Sequence, residues 1–120
     1  MSRLGPRLVI AGTHSGVGKT TVATGLMAAL SAAGTSVASA KIGPDFIDPG
    51  YHCLATGRPG RNLDPWICGP EAMAPLAARA GAPAWAGEGG VLVVEGVMGL
   101  FDGSASGGPD SSTAHVARLL

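Results

Sequence analysis

The chain has 120 residues, 8 basic against 8 acidic for a formal net charge of +0, and is 46% hydrophobic but only 13% charged. Such a length bounds it to one domain with a modest core, and such a composition excludes a disordered or heavily solvated chain. With no basic block, nucleic acid and anionic membrane surfaces are disfavoured as partners.

The N-terminus has no signal-peptide anatomy and its apolar run is far too short to span a bilayer, which predicts a cytoplasmic protein. Residues 7–12 read as a first strand, with Leu8 to Ala11 apolar. Gly12 to Gly18 is a glycine-punctuated loop, and Lys19-Thr20-Thr21 opens a helix over 18–33 with Val22, Leu26, Met27 and Leu30 at helical spacing and Gly34 as its stop. Residues 36–42 form a second strand. Residues 43–68, with Pro44, Pro49, Pro59 and Pro65, read as irregular, with room for a turn or two near 51–56. A helix over 70–80 follows, with Pro70 in its first turn and Pro75 as a kink or early stop, then a loop over 82–90. Val91 to Glu95 is a third apolar strand, 96–110 a second glycine-rich loop, and Ser111 to Thr113 cap a last helix that runs to Leu120. Strands apolar on both faces and alternating with helices predict an α/β fold, a mostly parallel sheet covered on each side.

Strand, glycine loop, Gly-Lys-Thr and helix form a P-loop arrangement. Phosphate oxygens need backbone N–H donors at close range, and glycines at 12, 16 and 18 clear the approach. The helix N-terminus adds free N–H groups and a favourable dipole. Lys19 is placed to reach the terminal phosphates and Thr20 to hold Mg²⁺. The spacing is unusual: the first glycine of the common pattern falls on Thr13, and Gly12 lies one residue earlier. The nucleotide-contacting candidates are Gly12, Thr13, Gly16, Val17, Gly18, Lys19, Thr20 and Thr21.

Parallel sheets bind ligands at the carboxyl ends of their strands. Three chemical clusters fall there: the loop from Gly12 to Thr20, the stretch from Lys41 to Asp48, and that from Glu95 to Asp102. Mg²⁺ takes oxygen ligands, usually one or two carboxylates plus phosphate. Asp48 is the metal candidate of the second cluster and Asp45 the residue facing an acceptor. Glu95, ending a buried strand, is the acid that meets Mg²⁺ directly or through water. Asp64, in Asn62-Leu-Asp-Pro-Trp66, reads equally well as a turn residue. His14, His52 and His115 show no partner in the sequence and read as structural. Cys53 and Cys68 lie far from C-x-x-C spacing and read as two small, packed, reduced thiols, neither zinc ligands nor a disulfide.

Taken together, the loop Gly12 to Thr21, Lys41-Ile-Gly-Pro-Asp-Phe-Ile-Asp-Pro-Gly-Tyr-His52, Asn62 to Trp66, Glu95-Gly-Val-Met-Gly-Leu-Phe-Asp-Gly103 and Ser112-Thr-Ala resemble the N-terminal synthetase domain of cobyrinic acid a,c-diamide synthases, including the hydrogenobyrinic acid enzymes. That family is similar in fold to dethiobiotin synthetase. The resemblance implies an ATP- and Mg²⁺-dependent amidoligase. ATP phosphorylates a corrinoid side-chain carboxylate, and ammonia then displaces the phosphate, at the c and then the a position. Lys19, Lys41 and Mg²⁺ would neutralise the charge that gathers between two anions. The resemblance puts Thr20, Asp48 and Glu95 near metal and nucleotide, and Asp45 and Asp102 near the acceptor carboxylate and the ammonia. The partners implied are a corrinoid (cobyrinate or hydrogenobyrinate) and a C-terminal glutaminase domain, and a homodimer is compatible with the resemblance. Since the chain stops at Leu120, it reads as the N-terminal part of the ATP-binding domain, truncated before the glutaminase. Two other readings stay open. One is a regulatory P-loop ATPase like the plasmid-partitioning and septum-site proteins, although those have a second lysine where this chain has His14. The other is a non-catalytic nucleotide-binding fragment.

Overall fold

The structure, a computed structural model, describes residues 4–103 and 110–120. Its elements are β1 (Arg7–Ile10), α1 (Lys19–Ala32), β2 (Val37–Ile42), α2 (Asp48–Thr56), β3 (Arg61–Leu63), α3 (Pro65–Cys68), a 3₁₀ turn at Pro70–Ala72, α4 (Met73–Trp85), β4 (Val91–Glu95) and α5 (Thr113–Leu119). The four strands form one sheet in the order β1-β4-β2-β3, and every pairing is parallel. The α/β fold expected from the sequence is borne out.

Side chains alternate across a strand, so each central strand serves two cores. Ala38, Ala40 and Ile42 of β2 join Leu92 and Val94 of β4 beneath Met73, Ala77 and Ala84 of α4 and Val116 of α5. Val37 and Val93 point to the other face, against Ala23 and Met27 of α1. Burying a side chain such as Met27 or Val93 contributes about 1.5–3 kcal/mol each. The same alternation puts Lys41 and Glu95 on the α1 face, and the register pairs them directly across β2 and β4. Val22, expected in the helical stripe of α1, is instead exposed, and Ala23 takes the buried position. Gly34 ends α1 in a left-handed conformation at φ 91°, with Thr35 N–H reaching back to Leu30 O at 2.9 Å.

The segment 43–68 is more ordered than expected: the room for a turn or two near 51–56 is filled by α2, and β3 and α3 follow it. Pro49 occupies the second position of α2, where a missing N–H is harmless, and Pro65 opens α3 in the same way. The strand β3 has only three residues and no apolar pattern, and it exists because β2 offers it an edge. Arg58 fastens the end of this excursion to the start of β2, donating to Val37 O and Ser36 Oγ, both at 2.8 Å. The helix expected over 70–80 begins later and runs through much of the expected loop, to Trp85. Pro75 falls in its first turn, so it neither kinks nor stops it. Trp85 anchors the far end: its Nε1–H donates to Pro6 O at 2.9 Å, and its ring lies so close to Gly81 that a Cβ there would be 2.4 Å away. Of the loop expected over 96–110, residues 96–103 are irregular as expected, and 104–109 lie outside the described residues. Ser112 caps α5 by accepting from His115 N–H at 3.1 Å.

Candidate functional site

The chain after β1 enters a loop that turns twice through positive φ, at Gly16 (79°) and Gly18 (102°), before Lys19 opens α1. Only glycine reaches such angles without strain. Gly12 is needed for a different reason. A Cβ there would meet Val17 Cγ2 at 2.5 Å, so the loop closes on itself over a bare backbone. Among the described residues, the N–H groups of Gly16 and Gly18 donate to no protein acceptor. Lys19, nearly buried, folds back until Nζ is 3.3 Å from His14 O. Ser15, Gly16, Gly18, Lys19, Thr20, Thr21, Lys41, Val97 and Met98 line a cleft of about 420 Å³. Free N–H groups, a helix N-terminus and a lysine amine around one cleft form an anion site.

Below that cleft the acids converge. Glu95 is fully buried. Its Oε2 accepts from Thr20 Oγ1 at 2.7 Å and from Lys41 Nζ at 2.7 Å, and its Oε1 lies 2.8 Å from His52 Nε2. Asp48, the first residue of α2, brings Oδ2 to 2.7 Å from Lys41 Nζ and 3.3 Å from Thr20 Oγ1. Asp45 holds the entry to α2, its Oδ1 accepting from Ile47 N–H (2.7 Å) and Asp48 N–H (3.0 Å), and its Oδ2 lies 3.9 Å from Lys41 Nζ.

A buried carboxylate without partners would be neutral. Burial pushes Glu95 up, but hydrogen bonds from His52, Lys41 and Thr20 outweigh it and hold the group down at about 2. Lys41 follows the same logic: burial draws it down, and the bonds to Asp48 and Glu95 more than restore it, so its value is raised. Asp48 moves the other way. Burial and the nearby Glu95 charge raise it, and Lys41 only partly offsets them. Asp45 is raised by burial, but its backbone hydrogen bonds and Lys41 outweigh that and leave it lowered. With one ammonium against the carboxylates of Asp48 and Glu95, the ionised cluster carries +1 − 2 = −1, and −2 with Asp45. A cation already sits between Asp48 Oδ2 and Glu95 Oε2, namely the Lys41 ammonium, so this oxygen pair fits a positive charge. Among the described residues no three His, Cys, Asp or Glu side chains form a ready metal centre. Thr20, Asp48 and Glu95 do offer the two carboxylates and a hydroxyl that suit Mg²⁺ arriving with phosphates.

Not every candidate joins this group. Asp102 accepts from Gly99 N–H at 2.8 Å and lines a separate depression of about 500 Å³ with Ala11, Gly12, Thr13, Gly99, Leu100 and Phe101. Asp45 and Asp102 therefore share no partner in the described structure. The depression is held to the phosphate loop by Leu100 N–H donating to Gly12 O at 2.9 Å. Asp64 caps α3, its Oδ1 accepting from Trp66 and Ile67 N–H. His14 Nδ1 contacts Ser15 O at 2.8 Å, and His115 Nδ1 accepts from Ser111 N–H at 2.9 Å. Cys53 and Cys68 are free and exposed, so neither is the packed thiol a small buried cysteine would be. His52 shows no partner in the sequence, yet the fold gives it Glu95. The signal is present, since His52 lies one helical turn after Asp48, but it needs α2 to be seen.

Residues 8–63 match the family model of the CobQ/CobB/MinD/ParA nucleotide binding domain. The chain is 60% identical over 115 residues to the hydrogenobyrinate a,c-diamide synthase of Streptomyces coelicolor, covering 96% of this chain and 23% of that protein. It is 56% identical to the enzyme of the same name from Thermobifida fusca, over 96% of this chain and 24% of the relative. It is 50% identical to the cobyrinate a,c-diamide synthase of Syntrophotalea carbinolica, again over 96% and 24%. The resemblance read from the motifs is thus borne out, and nucleotide binding is the property of the domain matched. The chain spans about a quarter of the length of these curated relatives. No solved structure matches it. No described helix is long and apolar enough to cross a membrane.

Proposed function

We propose that this chain is the N-terminal part of the ATP-binding domain of a cytoplasmic amidoligase that converts the a- and c-side-chain carboxylates of a corrinoid to amides in cobalamin biosynthesis. The observation that carries the reading is the convergence of Thr20, Lys41, Asp48 and Glu95 at the mouth of the phosphate loop. A carboxylate is a poor electrophile. One of its oxygens attacks the γ-phosphorus of ATP, ADP leaves, and an acyl phosphate results. Ammonia then attacks the acyl carbon and inorganic phosphate departs with the former carboxylate oxygen.

Each residue has a part in that sequence of steps. Gly12, Thr13, Gly16, Val17, Gly18, Lys19, Thr20 and Thr21 form the nucleotide site, with Lys19 on the terminal phosphates. Thr20, Asp48 and Glu95 would hold Mg²⁺, which supplies charge neutralisation at the phosphates. Lys41 offsets the second anion as the acceptor approaches. Asp45 and Asp102 lie on the acceptor side, where they order ammonia or a cation and do not grip a like-charged carboxylate. Beside Asp45, the strongly exposed Phe46 and Ile47 offer apolar contact to a macrocycle. The higher identity to relatives named for hydrogenobyrinate supports the metal-free corrin over the cobalt form. Ammonia would come from a glutaminase domain elsewhere in the full-length protein; by resemblance alone, a second copy is a further partner.

The test uses the full-length protein and a corrinoid labelled with ¹⁸O in its carboxylates. ADP formation should require the corrinoid, and the label should appear in inorganic phosphate. Corrinoid-independent ATP turnover would favour a regulatory ATPase instead. The 120 residues alone should release no ammonia from glutamine; if they do, the nucleophile has been misplaced and Cys53 or Cys68 becomes the suspect.

A further inference from the structure

We infer that His52 is a positioning residue whose Nε2–H holds Glu95 Oε1, and so turns Glu95 Oε2 toward Thr20 and the phosphate loop. The inference rests on the proposed reading of Glu95 as a metal-side acid. His52 and Glu95 are both fully buried, and Nε2 lies 2.8 Å from Oε1. Glu95, paired with the Lys41 ammonium, is a carboxylate and can only accept, so the hydrogen of this contact belongs to Nε2. Nδ1 is buried and has no partner among the described residues. A hydrogen there would be a buried donor without an acceptor, which is the costlier arrangement. The geometry therefore places an Nε2–H against the acid.

The two oxygens of Glu95 have different partners. Oε1 meets His52, while Oε2 meets Thr20 and Lys41. The terminal torsion of a glutamate is broad, so a carboxylate gripped on one oxygen alone can swing. His52 removes that freedom. It also sits one turn after Asp48 on α2 and faces the same way, so its bond to β4 fixes the first turn of α2 and the place of Asp48 with it. Groups that hold a metal-binding carboxylate typically contribute 10–100-fold to metal affinity or activity.

The experiment compares Mg²⁺-dependent ADP binding by calorimetry in the full-length wild type, His52→Leu and His52→Gln, with melting curves as the control for folding. Leucine keeps bulk and removes the donor, and the glutamine amide nitrogen reaches the place of Nε2. His52→Leu should lose about 10–100-fold in the Mg²⁺-dependent part of ADP affinity, keep its affinity in EDTA within roughly threefold, and be largely rescued in His52→Gln. Wild-type metal dependence in His52→Leu overturns the inference, as does a His52→Gln no better than His52→Leu. If His52→Leu does not fold, ¹⁵N imidazole spectra of the unliganded wild type decide: a protected proton on Nε2 supports the inference, and an Nε2 without a proton overturns it. A wild type with no Mg²⁺-dependent ADP binding would sink the metal-site reading itself, and the imidazole spectrum still reports separately on the His52–Glu95 bond.

Discussion

Residues Thr13 to Val17 of the phosphate loop are exposed, and among the described residues Lys19 makes one long contact, to His14 O at 3.3 Å. Lys41, His52 and Glu95, which meet that loop at Thr20, are buried and joined by contacts of 2.7–2.8 Å. Among the described residues the loop keeps the N–H groups of Gly16 and Gly18 free, so a bound anion disturbs no protein contact of the loop but the long one from Lys19 to His14 O. The acid cluster already holds the Lys41 ammonium between Asp48 and Glu95, so a bound cation must rearrange bonds that already exist. The contrast teaches that the two halves of one site contribute differently. The loop adds affinity for phosphate at little loss of fold stability. The cluster adds geometry, and its own integrity is part of what holds α2 to the sheet. Substitutions in the first half should harm function and spare the fold, and loss of Glu95 from the second should harm both.

The largest effect expected is that of Lys19→Ala. It should remove about 3–4 kcal/mol of transition-state stabilisation, the scale of one preorganised charge-stabilising group. The same variant should unfold in urea almost like wild type. Near-normal amidation by full-length Lys19→Ala would end the phosphate-loop assignment.

Glu95→Gln tests the other half. Leaving Lys41 short of a buried partner should lower stability at neutral pH by about 3 kcal/mol. The pH dependence carries a sign. Glu95 is held at about 2, below its ordinary 4.5, so its contribution is full above 4.5 and fades as pH falls toward 2. Glu95→Gln should therefore show a flatter acid limb in that window. A variant as stable as wild type, with the same acid limb, would mean the cluster does not hold the fold.

Asp48→Asn sharpens the contrast within the cluster. Asp48 is raised by burial and by Glu95, so its contribution is present at low pH and fades as pH rises through its folded value. Removing that charge should leave neutral-pH stability unchanged or higher by up to about 1 kcal/mol. Nucleotide use dependent on Mg²⁺ should fall all the same. A large loss of stability would show that Asp48 and Glu95 are equivalent acids.

The smallest effect is expected from Asp102→Asn. Among the described residues Asp102 accepts one bond, from Gly99 N–H, which an asparagine oxygen can still accept. ATP binding should change by less than about 1 kcal/mol, while amide formation falls, unequally at the c and a positions. Loss of ATP binding as severe as in Glu95→Gln would undo the division between metal-side and acceptor-side acids.

Much of the fold and the site is legible in the residues. The strand before the loop, the helix after it and the apolar stretch ending in Glu95 announce themselves by glycine, Gly-Lys-Thr and unbroken apolar runs, and β4 has the expected bounds. What stays hidden depends on context. Prolines that break a helix interior open one at its start, so Pro49 masks α2. The strand β3 is imposed by its neighbour, and Arg-Asn-Leu carries no pattern of its own. The role of Trp85 in extending α4 needs Pro6 and Gly81 brought together by the fold. The pairing of His52 with Glu95 spans 43 residues and two elements, one of them legible in the sequence only as a turn or two near 51–56. The grouping of Asp45 with Asp102 comes from resemblance, and the fold gives the two acids separate surroundings.

Lys41 gives the cluster a counterion that is part of the chain and cannot diffuse away. On the proposed reading, a divalent ion arriving alone must evict an ammonium whose nearest remaining anion, Asp45 Oδ2, lies 3.9 Å away. An ion arriving with nucleotide phosphates brings further anions along. Two carboxylates that would otherwise scavenge free metal are thereby kept for a metal–nucleotide complex, and the order of arrival becomes a form of selectivity. Mg²⁺ titrated into the nucleotide-free protein should accordingly bind far more weakly than with ADP present, and Lys41→Met should narrow that gap.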